Sequence, residues 1–280
     1  MNTAQDPFER VRQEPDPLRR AKLAAELMTT YQQRSTELAR LRKEAINQAA
    51  AERGLSYSSI AVELGLTRGR ITQIRQTAPP AERLFFGIGP VTVAVPLRDI
   101  PGRALPMISS EDSRASDLLA GALSGLAFQV EHFHIPPDGD WQPPDDAVAI
   151  CGPKSSAVTA RAIALDPYLG FEPDDQEQWT IRERDGSQVY RSAMDDATSA
   201  GWSDVAYVGR LPLPGDGRSL LIIAGVHALG SVGAVNFLAR GLPELYARVG
   251  TRHFSMVVGS DHDGTTVTRS EPLCEPRIHP

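Results

Sequence analysis

Two groupings in this 280-residue chain hold residues whose types and spacing could do chemistry. The first is SYSSIAVELGLTRGRITQIR, residues 56–75. Ile60 and Ala61 fall on the inner side of a short helix, and Gly65, four residues after Ala61, permits the left-handed backbone a tight turn needs. Ile71 and Ile74 then return to the inner side of a second helix, capped by Thr67. That spacing leaves Thr67, Arg68, Gly69, Thr72 and Gln73 on the open side, with Arg70 and Arg75 adding charge. These are the types that read major-groove edges: Arg toward guanine, Gln toward adenine, Thr toward a thymine methyl or a phosphate. An ordinary helical hairpin shares the spacing. An open side without acids and three arginines within eight residues favour DNA.

The second grouping is a pair of glycine-containing turns, each following an apolar strand pattern. Residues 149–156, AICGPKSS, place Gly152, Lys154, Ser155 and Ser156 at a helix start; residues 223–233, IAGVHALGSVG, place Gly225, His227, Gly230 and Ser231 at another. Free backbone N–H groups and the helix dipole favour anions there, and Lys154 adds a full charge. Neither turn is a Walker A loop or a GxGxxG loop. Both should lie at carboxyl ends of strands, where ligands of open α/β sheets bind, so one crevice could serve a small phosphate- or carboxylate-bearing ligand. His227 could touch that ligand or act as a base. Other features are weaker. His132 and His134 alternate along one strand without a third metal ligand in register, residues 261–263 (Asp-His-Asp) read as a polar loop, and Asp174-Asp175 and Asp195-Asp196 read as solvated. A triad of Ser155, His227 and an acid lacks the GxSxG elbow. No metal, cofactor or catalytic residue is expected.

The elements that must hold these residues follow from periodicity and breakers. Residues 1–17, with Pro15 and Pro17, read as a disordered tail. Residues 18–77 read as a helical DNA-binding domain. Its long first helix, free of Gly and Pro over 18–51, has an apolar stripe of Leu23, Leu27, Tyr31, Leu38 and Leu41 and a possible break at Ser35–Thr36. Ala78-Pro79-Pro80 opens a linker over 78–84. Residues 85–280 alternate strands (91–95, 129–135, 146–151, 204–209, 220–224, 253–258) with helices (113–126, 155–165, 229–240), and a hairpin spans 179–191. The fold class expected is α/β: an N-terminal all-α helix-turn-helix domain, then a Rossmann-like three-layer α/β domain.

The pattern SxxxIAxxLGLTxGRIxQI in residues 56–74 resembles the region-4 helix-turn-helix of sigma-70-type factors, over about residues 35–77. The segment before it is too short for the domain with which a sigma factor melts promoter DNA and grips polymerase. The whole chain is similar to sigma-factor-like helix-turn-helix regulators of actinobacteria, in which this module precedes an α/β domain. The resemblance implies that Thr67, Arg68, Gly69, Thr72 and Gln73 form the recognition surface. Gly69 departs from a helix-favouring choice.

Charge divides the chain at the same place. Residues 1–80 hold 13 basic and nine acidic side chains, a net +4, and the remainder carries −10. A basic front and an acidic rear fit two modules with different partners. No apolar run approaches a membrane span, the first residues lack a signal core, and two cysteines suit a reducing cytoplasm. The expectation is a cytoplasmic, DNA-binding transcriptional regulator that docks on double-stranded DNA, with a rear domain that senses a small anionic ligand or makes homodimer contacts. The rivals are a nucleotide- or NAD-processing enzyme with a DNA-binding module and a scaffold that docks RNA polymerase.

Overall fold

A computed structural model describes residues 6–196, 201–215 and 217–280. Helix α1 (Pro7–Gln13) is capped by Asp6, and α2 (Pro17–Arg53) by Asp16, each with proline in the first turn. The expected disordered tail is therefore helical from residue 7, and α1 lies along α2 with the Phe8 ring 5.4 Å from Tyr31. Helix α2 runs unbroken for 37 residues through Ser35 and Thr36, whose neighbours are strong helix formers, and ends at Gly54 in the left-handed region. Its buried residues are Gln33, Glu37, Arg40 and Ile46, while Leu38 and Leu41 of the apolar stripe stay exposed. The polar row faces inward because it meets a buried cation, Arg83. The cation is fully enclosed, its Nη2 donates to Gln33 Oε1 at 2.7 Å, and it lies 3.7 Å from the centre of the Phe128 ring.

Helices α3 (Tyr57–Glu63) and α4 (Arg68–Thr77) pack on the end of α2. The expected linker is not free chain. Residues Ala81–Phe86 form a 3₁₀ turn that carries Arg83 and inserts Phe85 and Phe86 into the core of the α/β body.

That body is built on an eight-stranded mixed sheet. Strands β1 (Val91–Pro96), β2 (Val130–Ile135), β3 (Ala147–Ala149) and β8 (Ser219–Gly225) are parallel, in the order β8-β3-β1-β2. Strands β7 (Trp202–Pro212), β9 (Phe254–Asp263) and β10 (Thr266–Pro272) extend the other edge by antiparallel pairing, with β11 (Arg277–Ile278) also on β9. A smaller antiparallel sheet joins β4 (Leu169–Pro173), β5 (Trp179–Glu183) and β6 (Val189–Tyr190). Helices α5 (Ser110–Gly125) and α7 (Ala228–Val249) cover one face of the main sheet. Helix α6 (Ala157–Ile163) and the small sheet cover the other. The nearly continuous apolar runs of β1, β3 and β8 follow from burial on both faces. Among the described residues, no helix is long and apolar enough to cross a membrane.

Candidate functional site

Ile46, Ile60, Ala61, Ile71 and Ile74 form the small core that sets α4 against α2 and α3. Gly65 has φ 64°, and Leu66 N–H closes the turn on Ala61 O at 2.8 Å, so the turn is built as the spacing requires. Ser56 Oγ accepts from Ser59 N–H at 3.1 Å and Thr67 Oγ1 from Arg70 N–H at 3.2 Å, capping the two helices. Arg68, Gly69, Arg70, Thr72 and Gln73 are all exposed on one surface of α4. Arg70 Nη1 donates to Gln73 Oε1 at 2.6 Å, which aligns a guanidinium and an amide side by side. Thr72 Oγ1 donates to Arg68 O at 3.2 Å. Gly69 has open space around it, with only Thr67 Oγ1 at 3.9 Å from an added Cβ. Arg75 departs from expectation. It is half-buried, donates through Nε to Asn47 Oδ1 at 3.0 Å and sits 4.1 Å from the centre of the Tyr57 ring. Its long arm folds back across α2 and α3 and ties the three helices together.

The two glycine-containing turns leave the sheet at one edge, on neighbouring parallel strands, since Val148 pairs with Leu221 and Ala149 with Ile222. Their helices then diverge, α6 to one face and α7 to the other. The chain therefore places Gly152, Lys154, Ser155 and Ser156 beside Gly225, His227, Gly230 and Ser231, at a point where connections switch faces.

The donors expected to hold an anion are already occupied. Asp204, on β7 and almost fully enclosed, accepts from Gly230 N–H at 2.6 Å, His227 N–H at 3.1 Å and Val205 N–H at 2.9 Å. The protein's own carboxylate thus fills the positive end of α7. Burial pushes the Asp204 carboxyl above its ordinary range, against the pull of these hydrogen bonds. Ser231 Oγ accepts from Gly225 N–H at 2.9 Å, and a Cβ at Gly225 or Gly230 would collide with surrounding backbone. The glycines serve this close fit. At α6, Ser156 Oγ accepts from Thr159 N–H at 3.2 Å and from Trp141 Nε1–H at 3.3 Å, while Ala157 N–H donates to Gly139 O. Lys154 remains exposed. His227 Nε2 lies 2.8 Å from Asp195 Oδ1, so Asp195 is engaged and not merely solvated.

The minor features also take definite places. His132 Nδ1 lies 3.1 Å from Ser116 Oγ on the exposed edge strand. Among the described residues, no group of three or more His, Cys, Asp or Glu side chains could hold a metal. Asp261, His262 and Asp263 belong to β9 and not to a loop, because β9 continues into a hairpin with β10. Asp261 Oδ1 accepts from Ser203 Oγ at 2.6 Å and His262 Nε2 lies 2.8 Å from Ser260 Oγ. Asp174 closes the turn between β4 and β5 by accepting from Gln176 and Gln178 N–H. Asp204 escaped the sequence reading. Its one local signal is a lone acid between residues of a strand pattern.

No protein-family model, no curated protein and no solved structure matches this chain.

Proposed function

We propose that this protein is a DNA-binding transcriptional regulator of the cytoplasm, with α3 and α4 as a helix-turn-helix and α4 as its recognition helix. The observation that carries this reading is the exposed surface of α4. It presents Arg68, Arg70, Thr72 and Gln73 with no acid, on a helix capped and buttressed only from behind. Gly69 fits the same reading, since a bare backbone there lets a phosphate approach closely. In this reading Arg75 holds the module together and does not touch phosphate.

The α/β body is the sensing domain, its parallel half Rossmann-like. Leu38, Leu41 and Tyr31 on the outward side of α2 support a homodimer, because such a stripe on a monomer would stay wet. A dimer presents two copies of α4 to successive major grooves, and docking of RNA polymerase is a further use of the same basic front.

The test is selection from a random duplex pool with the full chain. Enrichment of a motif, with affinity that falls steeply as salt rises, is the expected result. A pool that emerges without any preference overturns the reading.

A further inference from the structure

The third buried arginine of the chain differs from the other two. Arg40 is paired with Glu37 and Glu44, and Arg83 has Glu37 4.0 Å away. Arg210, on β7 and 8% exposed, has no carboxylate within salt-bridge distance among the described residues. Three carbonyls hold it: Gly250 O at 3.2 Å, Arg252 O at 3.1 Å and Phe85 O. A guanidinium has five N–H donors, so these bonds leave donors over. The nearby Asp146 carboxylate supports this cation without pairing to it, and a buried cation lacking a paired counter-charge favours an anion that can reach it.

An anion can reach it. Arg210 lines a cavity of about 410 Å³ at the amino-terminal edge of the parallel strands, opposite to the edge that bears Lys154 and His227. One wall is the connecting segment itself, residues 84–88, with Phe85 and Phe86; Val148 and Leu221 line the cavity as well. Arg218 also borders it, donating to Pro143 O and 3.9 Å from the exposed Asp145. Asp146 lines it too, with Oδ2 accepting from Ile88 and Gly89 N–H, each at 2.9 Å. The volume lies in the range of small-molecule sites, and the lining combines apolar walls with Arg210, Arg218, Asp145 and Asp146.

We propose that this cavity binds a small molecule carrying one carboxylate or phosphate on an apolar, ring-sized group, with Arg210 holding the anion. The cavity and its ligand stand independently of DNA binding by α4. The ligand would contact Phe85 and Phe86, two and three residues after Arg83, which anchors α2. Occupancy and the placement of the helical front are therefore set by one short segment.

The test uses the full chain and three probes: benzoate, phenyl phosphate and, as the neutral control, benzyl alcohol. Amide spectra are recorded at rising millimolar probe. The expected result is a saturable shift of the amides of residues 85–88 and 219 with benzoate, phenyl phosphate or both, and none with benzyl alcohol. Which anion saturates first tells carboxylate from phosphate. Arg210→Met should abolish the shifts. Since that variant can fail to fold, Arg218→Glu at the rim is measured too and should weaken binding at least tenfold. The proposal is overturned if neither anion shifts these amides, if benzyl alcohol shifts them equally, or if Arg218→Glu binds as tightly as the parent chain.

Discussion

Asp204→Ala would leave the His227 N–H without its acceptor and return the Gly230 N–H to its longer bond with His227 O. An unsatisfied donor costs about 1–3 kcal/mol, so a loss of that order is expected in denaturant unfolding. Asp204→Asn keeps an acceptor and should recover part of it. An Asp204→Ala chain as stable as the parent would mean that the start of α7 draws its stability elsewhere. A sharper contrast concerns two neighbours on α4. Arg75→Ala removes a hydrogen bond to Asn47 and a cation–π contact with Tyr57, about 1–2 kcal/mol together. Gln73→Ala removes an exposed side chain and its surface hydrogen bond with Arg70, and should change stability by less than about 0.5 kcal/mol. On DNA the order reverses: Gln73→Ala should relax preference at one base pair, by about 1–3 kcal/mol. If both variants lose stability equally, Gln73 is not a groove-facing residue. Spacing alone made the exposed face of α4 legible, because each inward position is apolar. Arg75 was not legible, since its place depends on side chains from two other helices. Asp204 and Arg210 escaped for the same reason: their partners lie far away in sequence, 23 and 26 residues for the His227 and Gly230 N–H groups and 40 to 125 residues for the carbonyls on Arg210.

Apolar runs enclosed on both faces are legible in the sequence, and so is the mostly exposed β2, whereas several other elements are not. Strands β1 and β8 are runs of Val, Ile, Leu and Ala enclosed on both faces, and they stood out as apolar runs. Strand β10 (TVTRSEP) is mostly exposed, so its pairing with β9 leaves no apolar alternation to detect. Strand β4 ends in Glu-Pro, and α1 has no buried residue at all. Helix α2 misled in another way. Tyr31, Leu38 and Leu41 of its apolar stripe stay exposed, and the side turned inward is the polar row of Gln33, Glu37 and Arg40, because Arg83 needs partners there. Two predictions belong at this scale. Gly69→Ala should raise stability by up to about 1 kcal/mol, since the backbone is helical and the space beside it is open. In the same variant DNA affinity should fall, and unchanged binding would remove the reason for a glycine at that position. Leu38→Glu combined with Leu41→Glu should leave the helical content intact by circular dichroism while reducing the sedimentation coefficient to that of a monomer. A chain already monomeric before the change would end the role given to the stripe.

At the scale of the whole molecule, acid should loosen the α/β body. Burial holds His253, His262 and His279 below the ordinary imidazole range. The unfolded chain therefore takes up protons first as pH falls. The stability these groups confer is present above about pH 6.5 and is lost on acidification, by about 1.4 kcal/mol for each unit of depression. Asp112 and Asp204, raised by burial, act with the opposite sign. The clean comparison is thus the His262→Asn chain, whose melting temperature should fall less between about pH 7.5 and pH 5.5 than that of the parent. Identical slopes would show that His262 is not held neutral by the fold.

The length of α2 has a mechanical consequence. The helix is gripped by Arg83 at Gln33, and α4 is pinned to it at Asn47 through Arg75. At 1.5 Å per residue those two points are about 21 Å apart along the axis. A rigid rod pivoting at the first point converts angle into travel at the second. A tilt of about 10° there displaces α4 by about 3.7 Å, close to the ~3.4 Å step from one base pair to the next. If α4 reads a duplex as proposed, small rotations at the Arg83 joint would carry it by about one base-pair step.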